Sequence, residues 1–157
     1  MIRLRPATIA DADLLLDWAN DPVTRAAGFH REVIGPATHR RWLADRLASS
    51  RGRLYVGLDA DNRPIGQLRL DGAPDGRVEI GIAVAPTERG RGIGHELLRA
   101  GMEVGLADPD LAVSVFVARI RPENEASIAL FTGAGFLYVA SDEVHGERAL
   151  VYELSTG

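Results

Sequence analysis

Apolar and polar residues along this chain follow two periods, and the switches between them mark out its elements. Residues 2–5, Ile2-Arg3-Leu4-Arg5, alternate as a half-buried strand does, and Pro6 ends the run. Thr8-Ile9-Ala10-Asp11 is a capping-box variant opening a helix whose Ala12, Leu15, Leu16 and Ala19 share one face. Asn20-Asp21-Pro22 breaks that helix. Asp21 can cap a short further turn, with Pro22 at its first position and Val23, Thr24 and Arg25 inside. Residues 28–35 have no period. Pro36 then begins a firmer helix with Trp42, Leu43 and Leu47 as its apolar stripe and Arg40, Arg41, Asp45 and Arg46 on the wet side.

Strand-like runs return at 54–58 and 64–70, joined by the turn Asp59-Ala60-Asp61-Asn62, and a second turn over 71–76 leads into an apolar run at 78–84. These three runs read as antiparallel neighbours. A helix carrying Leu97, Leu98, Met102 and Leu106 stops near Asp108-Pro109, and residues 112–119 form another strand. Arg121-Pro122-Glu123-Asn124 leads into a helix through Phe131, closed by Gly133-Ala134-Gly135, and strands at 136–141 and 148–154 end the pattern. The order predicts an α+β chain built on a single mixed, mostly antiparallel sheet of about seven strands flanked by about four helices.

Between strand 78–84 and the helix after it lies the densest chemical signal. Gly90, Gly92 and Gly94 recur at every second position, flanked by Arg89 and Arg91, with the helix beginning near Ile93. Glycines let successive N–H groups form one concavity, and the helix aims its positive end at the same point, so the loop suits an anion such as phosphate. Either arginine can add a planar fork. The dinucleotide pattern G-x-G-x-x-G fails because His95 stands where the third glycine belongs, and the nucleotide-hydrolase loop fails because His95 and Glu96 follow Gly94.

Composition narrows the rest. A length of 157 residues, 46% of them apolar and 25% charged, predicts one packed domain over 1–157. A net charge of −4 argues against nucleic acid as a partner. With no cysteine there is no disulfide, thiolate metal site or thiol nucleophile. His30, His39, His95 and His145 lack ligand spacing, so no metal is expected and His95 reads as a helix-surface residue. The first residues lack a signal core and no run approaches the ~20 apolar residues of a membrane span, which predicts a cytoplasmic protein without membrane contact.

The spacing R-x-x-G-x-G from Arg89 to Gly94 resembles the acetyl-CoA pyrophosphate loop of the GNAT acetyltransferases. A second stretch, Asn124-Glu125-Ala126-Ser127-Ile128-Ala129-Leu130-Phe131-Thr132-Gly133-Ala134-Gly135-Phe136, resembles that family's N-x-x-A/S-x-x-L-Y-x-x-x-G-F helix, one strand further on. The resemblance implies the GNAT fold across nearly the whole chain, with the sheet splayed between its fourth and fifth strands and pantetheine in the gap. Acetyl-CoA is then the cosubstrate. The residues implied to hold it are Ile82, Ala83 and Val84 by their backbone, Arg89, Gly90, Arg91, Gly92, Ile93 and Gly94 at the diphosphate, and Asn124, Ser127 and Phe131 along the arm. Asn124 can equally cap its own helix.

The activity implied is direct transfer of acetyl to a primary amine in a ternary complex, monomer or homodimer. Strand alternation puts Glu79, Gly81 and Ala83 on one face, so Glu79 is the candidate base, with a bulge expected at Gly81 and an N–H near Ile82 for the oxyanion. Glu79 can also be a carboxylate simply paired with a neighbouring arginine. Phe131 stands where relatives carry a tyrosine acid; water or Tyr138 can substitute. Trp18-Ala19-Asn20-Asp21-Pro22-Val23-Thr24-Arg25 resembles the W-x-N-D-P-x-x-R stretch of amino-sugar-nucleotide and ribosomal-protein N-terminal acetyltransferases. That implies a small-molecule or peptide amine as acceptor, met by Trp18, Asn20, Arg25 and His30, the sugar branch being favoured by the basic segment 27–42. Trp18 and Trp42 can instead pack in the core. Because Phe131 removes the usual acid, a catalytically quiet acyl-CoA-binding or sensing module is the alternative.

Overall fold

Alternation along the strand segments is realised as one seven-stranded sheet of order β1-β2-β3-β4-β5-β7-β6 in a computed structural model that describes residues 2–29 and 32–157. The strands are β1 (Arg3–Pro6), β2 (Gly52–Leu58), β3 (Pro64–Gly72), β4 (Arg77–Val84), β5 (Val115–Ile120), β6 (Leu137–Val144) and β7 (Glu147–Ser155). Strands β1 to β4 run antiparallel in chain order, β4 meets β5 in parallel, and β7 lies antiparallel between β5 and β6. This is the mixed α+β sheet expected. β4 and β5 pair only at Arg77↔Val115, Val78↔Phe116 and Glu79↔Val117, although each strand continues beyond them. The sheet splays there, between its fourth and fifth strands.

The helices are α1 (Ala12–Ala19), α2 (Pro22–Ala27), α3 (Pro36–Ala48), α4 (Ile93–Ala107) and α5 (Glu125–Gly133). The short turn expected after Asp21 closes as α2, with Asp21 capping it through Thr24 N–H at 3.1 Å. One face of the sheet packs Leu68, Leu70, Val78, Ile80 and Phe116 against Leu98 of α4 and Phe131 of α5. The other packs Leu54, Val56 and Leu58 against Leu15 and Trp18 of α1 and Leu43 of α3.

Glycines set how closely α4 sits on the sheet. A Cβ at Gly101 would lie 2.3 Å from Leu68 Cδ1, and one at Gly66 would lie 2.6 Å from Leu97 Cδ1. Leu68 and Leu97 are wholly buried, so neither can retreat. The contact fixes the position of the α4 N-terminus relative to β4.

Four expectations need correction. Gly81 is not a bulge: the β3–β4 register runs evenly through Arg69↔Gly81, and a Cβ at Gly81 would lie 3.0 Å from Arg69 Nη2, so the glycine leaves room for that guanidinium. On α3, Leu43 is buried but Trp42 and Leu47 are exposed at 38% and 39%, and His39 is buried in their place, its ring 5.4 Å from Trp42. β5 begins at Val115 because Ala112 takes a positive φ of 44° and Ser114 is tied to Gly76. β6 and β7 run on to Val144 and from Glu147, closed by His145 and Gly146 with φ of 50° and 79°.

Two measurements check the packing and the β1–α1 corner. Gly101→Ala should lower stability in chemical denaturation by about 1–2 kcal/mol, because overpacking costs more than the ~1 kcal/mol of helix propensity regained. Gly133→Ala, where the added Cβ meets only His95 at 4.0 Å, should be neutral or stabilising. Asp11 is buried and accepts from both guanidinium nitrogens of Arg5, at 2.8 and 2.9 Å, and from Thr8 N–H. Arg5 first, and Thr8 with it, hold its carboxyl below the ordinary range. The stabilisation from a depressed native pKa is fully present above the unfolded value of about 3.9 and is lost as pH falls from there through the lower native value. Asp11→Asn should therefore cost about 1.5–3 kcal/mol at pH 7 and progressively less below about pH 4.

Candidate active site

Where β4 ends, Gly90 and Gly92 take φ of 80° and 75° and nothing lies within 4 Å of a Cβ built on either. Gly92 is the N-cap of α4 in the left-handed region, and no side chain caps the helix. The first N–H groups of a fifteen-residue helix therefore open toward the loop, as an anion site requires. Gly94 has a different role. It lies inside α4, and the place of its missing Cβ is 3.5 Å from Leu130 and 3.7 Å from Ile82, so it lets β4, α4 and α5 meet.

The two arginines of the loop are tied to the protein's own carboxylates. Arg91 bonds Glu88 at 3.0 Å, and Arg89 bonds Asp21 at 2.5 Å and Thr24 Oγ1 at 3.1 Å. Arg89, with the Thr24 N–H, holds the Asp21 carboxyl below its ordinary range. The glycine loop and the cap of α2 are thereby joined.

Past Glu79 the parting of β4 and β5 opens a cleft of about 200 Å³, lined by Arg69, Glu79, Gly81 and Ile82, by Ala118 to Arg121, by Asn124, Ser127 and Phe131, and by Ala27, Gly28 and Phe29 as a roof. Ile82 to Val84 are paired with β3 on one side and unpaired on the β5 side. Asn124 caps α5 by accepting from Ser127 N–H at 3.2 Å with Oδ1, which leaves its amide NH₂ for the cleft. Phe131 is buried edge-on against Phe136, with ring centroids 5.1 Å apart, and presents no hydroxyl. A larger hollow of about 510 Å³ adjoins the cleft, between Pro22, Val23 and Ala26 of α2 and Glu123 to Ala126 at the start of α5.

Glu79 stands on the cleft floor, bonded to Arg119 Nη1 and 3.8 Å from Arg69 Nη2. Alternation did aim it at the cleft, and it is paired there. Arg119 engages Oε1, while Oε2 makes no hydrogen bond among the described residues.

The residues expected to meet the acceptor are scattered. Trp18 is buried in the core with Leu15 and Leu43. Both ends of the Asn20 amide are consumed by the backbone of Ile34, Nδ2 donating to its oxygen at 2.8 Å and Oδ1 accepting from its N–H at 2.7 Å. Asn20 is thus a clamp on the loop after α2. Arg25 is partly buried, with Nε and Nη1 lacking hydrogen-bond partners, and burial pulls its pKa down; it lines neither cavity. His30 lies outside the described residues. Tyr138 is half exposed, bonds Ser141 at 2.8 Å and lines neither cavity.

Three arginines that the sequence reading passed over line the cleft instead. Arg69 and Arg119 flank Glu79, and Arg121 donates to the carbonyls of Ala26 and Gly28, tying the roof to the end of β5. The legible signal was Gln67-x-Arg69-x-Asp71, polar at every second position of a strand predicted to lie mid-sheet. Among the described residues no group of His, Cys, Asp or Glu is arranged to hold a metal.

Comparison with known proteins agrees with this geometry. A family model described as an acetyltransferase (GNAT) domain matches residues 2–137. An L-methionine sulfoximine/L-methionine sulfone acetyltransferase of Pseudomonas paraeruginosa is 30% identical over 85% of this chain and 78% of its own length. The N-alpha-acetyltransferase RimI of Mycobacterium tuberculosis is 29% identical over 81% and 69%. An N-acetyltransferase 9-like protein of Nematostella vectensis is 40% identical over 48% of this chain, which spans only 37% of that longer protein. Among solved structures, the aminoglycoside acetyltransferase AAC(6')-Ib in complex with coenzyme A superposes with a TM-score of 0.84 at 21% identity, over 99% of this chain and 95% of that one. By its matched length, its sheet and its open glycine loop, the chain belongs to the GNAT acetyltransferase family.

Proposed function

We propose that this GNAT acetyltransferase moves the acetyl group of acetyl-CoA onto a primary amine by direct transfer, the whole of residues 1–157 acting as one catalytic domain. The observation that carries the reading is the conjunction of an uncapped α4 N-terminus, two left-handed glycines and a cleft opening beside them. The N–H groups over 90–94 suit the diphosphate. Arg89 and Arg91 are near enough to join by exchanging Asp21 and Glu88 for phosphate oxygens. The pantetheine amides suit the unpaired edge of Ile82, Ala83 and Val84, with Asn124, Ser127 and Phe131 along the opposite wall. The hollow beside α2 leaves room for the remainder of the donor.

Within the cleft Glu79 is the base. The amine nitrogen forms a bond to the acetyl carbon, the carbon–sulfur bond breaks, the amine proton passes to Glu79, and the thiolate takes its proton from water because Phe131 has none to give. The acceptor class is a small-molecule or peptide amine; the resemblance of Trp18 to Arg25 points to nucleotide-linked amino sugars or protein N-termini as the first candidates to assay. Use of acetyl-CoA suits work in the cytoplasm. The competing reading, a quiet acyl-CoA-binding module, draws on Phe131 alone.

Two experiments test this. Calorimetry should register acetyl-CoA binding to the wild type, and Gly92→Val, which forces a β-branched residue to a φ of 75°, should weaken it by on the order of tenfold or more. No heat from the wild type would end the reading. With an acceptor that turns over, Glu79→Gln should abolish the acidic limb of the pH–rate profile, the fall in rate as the base is protonated, and lower kcat by about a hundredfold or more. An unchanged profile would remove Glu79 from the chemistry, and binding without turnover of any amine would favour the quiet module.

A further inference from the structure

The acceptor side of the cleft has a charge pattern that distinguishes among amines. Its floor is Glu79 between Arg69 and Arg119, and no other carboxylate lines the cleft. Asp71 and Asp142 lie beside the two guanidiniums without lining it: Asp142 accepts from Arg119 Nε at 3.3 Å, and Asp71 lies 3.1 Å from Arg69 Nε but off its N–H axis, leaving that nitrogen buried without a hydrogen bond. Arg69 makes no hydrogen bond among the described residues, its Nη2 standing 3.8 Å from Glu79, and Arg119 keeps Nη2 without one. Gly81 is the device that admits the first of them, since any Cβ there would meet Arg69 Nη2 at 3.0 Å.

We propose, resting on the N-acetyltransferase reading above, that the acceptor is a small amine bearing a carboxylate beside its amino group, an α-amino acid or a near analogue, and that Arg69 and Arg119 read that carboxylate. A zwitterion matches the floor group for group, its ammonium at Glu79 and its carboxylate on the flanking forks. Its arrival has a chemical consequence. The incoming carboxylate competes with Glu79 for Arg119, and the Glu79 oxygen that Arg119 releases becomes free to take the amine proton. A polycation meets three guanidiniums, those of Arg69, Arg119 and Arg121, and a single carboxylate, and an unpaired cation beside them is repelled. A peptide N-terminus offers an amide where the forks expect an anion. The cleft is also small, about 200 Å³ that the pantetheine arm must share, which favours a compact acceptor over a nucleotide.

The test is initial-rate release of CoA thiol at saturating acetyl-CoA. The acceptors are the twenty L-amino acids, their amides, their decarboxylated amines, spermidine, and ethanolamine against O-phosphoethanolamine. At least one free amino acid should exceed its own amide and decarboxylated amine in kcat/KM by tenfold or more, even though the amide's amine is the more readily deprotonated. Arg119→Gln and Arg69→Gln should each reduce that ratio by on the order of tenfold to a hundredfold, mainly through the KM of the acid, the size expected for one charge-assisted contact. Arg119→Lys should recover part of it. Equal or better turnover of amides, decarboxylated amines or spermidine by the wild type overturns the carboxylate assignment while leaving the acetyltransferase in place. A gain for O-phosphoethanolamine larger than any amino acid's moves the anion from carboxylate to phosphate and likewise overturns it. Acetyl-CoA binding with no amine turned over removes both readings together.

Discussion

Two strands that cease to pair decide what this fold can do. β4 and β5 exchange register partners at three positions and then diverge. Backbone left unpaired in a half-buried place is costly unless water or a ligand satisfies it. The opening persists because each strand is held on its far side, β4 by seven register pairs with β3 and β5 by six with β7. α4 then rests on the glycine seats opposite Leu68 and Leu97, which leaves its N-terminus no freedom to shift toward the gap. The parting, the helix end and the glycine loop are therefore one arrangement. Moving any of them moves the others.

Above the gap, the roof is held by polar contacts more than by apolar ones. No residue of α2 is buried, so hydrophobic packing cannot be what locates it. Arg121 binds the carbonyls at its C-terminal end, Asp21 joins its N-terminal end to Arg89, and Asn20 fixes the chain that follows. Such contacts, each worth about 1 kcal/mol, are weak enough to exchange for a ligand's. The floor has the same character. Arg46, Asp71, Arg69, Glu79, Arg119 and Asp142 form an alternating chain across α3, β3, β4, β5 and β6. Half-exposed ion pairs of this kind contribute about 0–1 kcal/mol apiece, too little to explain the fold. Their effect is directional, since Arg69 and Arg119 hold Glu79 upright in the cleft.

The strand and helix order was legible because nearly every element carries its own period and its own stop signal, as Pro6, Asp21-Pro22 and Gly133-Ala134-Gly135 do. The glycine loop was legible for a similar reason: its chemistry lies in six consecutive residues. What escaped reading depends on neighbours far apart in the chain. Gly81 could be taken for a bulge because nothing near it in sequence reveals that Arg69 crosses over it from the adjacent strand. Asn20 belongs to a motif associated with acceptor binding, yet Ile34 absorbs both ends of its amide. The β6–β7 turn was placed too loosely because His145-Gly146 lacks the Asn-Gly or Asp-Gly signature of a two-residue hairpin loop, and the tightness shows only in the pairing of the strands on either side. On α3, the assumption that tryptophan outranks histidine for burial failed locally. Arg46 Cζ lies 5.3 Å over the centre of the Trp42 ring at the rim of the helix, and His39 takes the inner place, where burial first and Arg40 second lower its pKa.

Phe131 bears on whether the cleft catalyses or only binds. It occupies a packed position against Phe136, so an aromatic ring is needed there whatever the chemistry, and loss of a hydroxyl costs the fold nothing. The chemical loss is also limited. A protonated amine has no lone pair and cannot attack, so removing its proton is a precondition of reaction. A thiolate, by contrast, can depart as an anion. With a thiol pKa near ~8.5, leaving unprotonated at neutral pH costs roughly 2 kcal/mol, a rate factor of about thirty. The step that cannot be omitted is the one for which the cleft holds a carboxylate, and the step for which it lacks an acid is the one that solvent can complete. An enzyme built this way is slower than one with a tyrosine at 131, and it is still an enzyme.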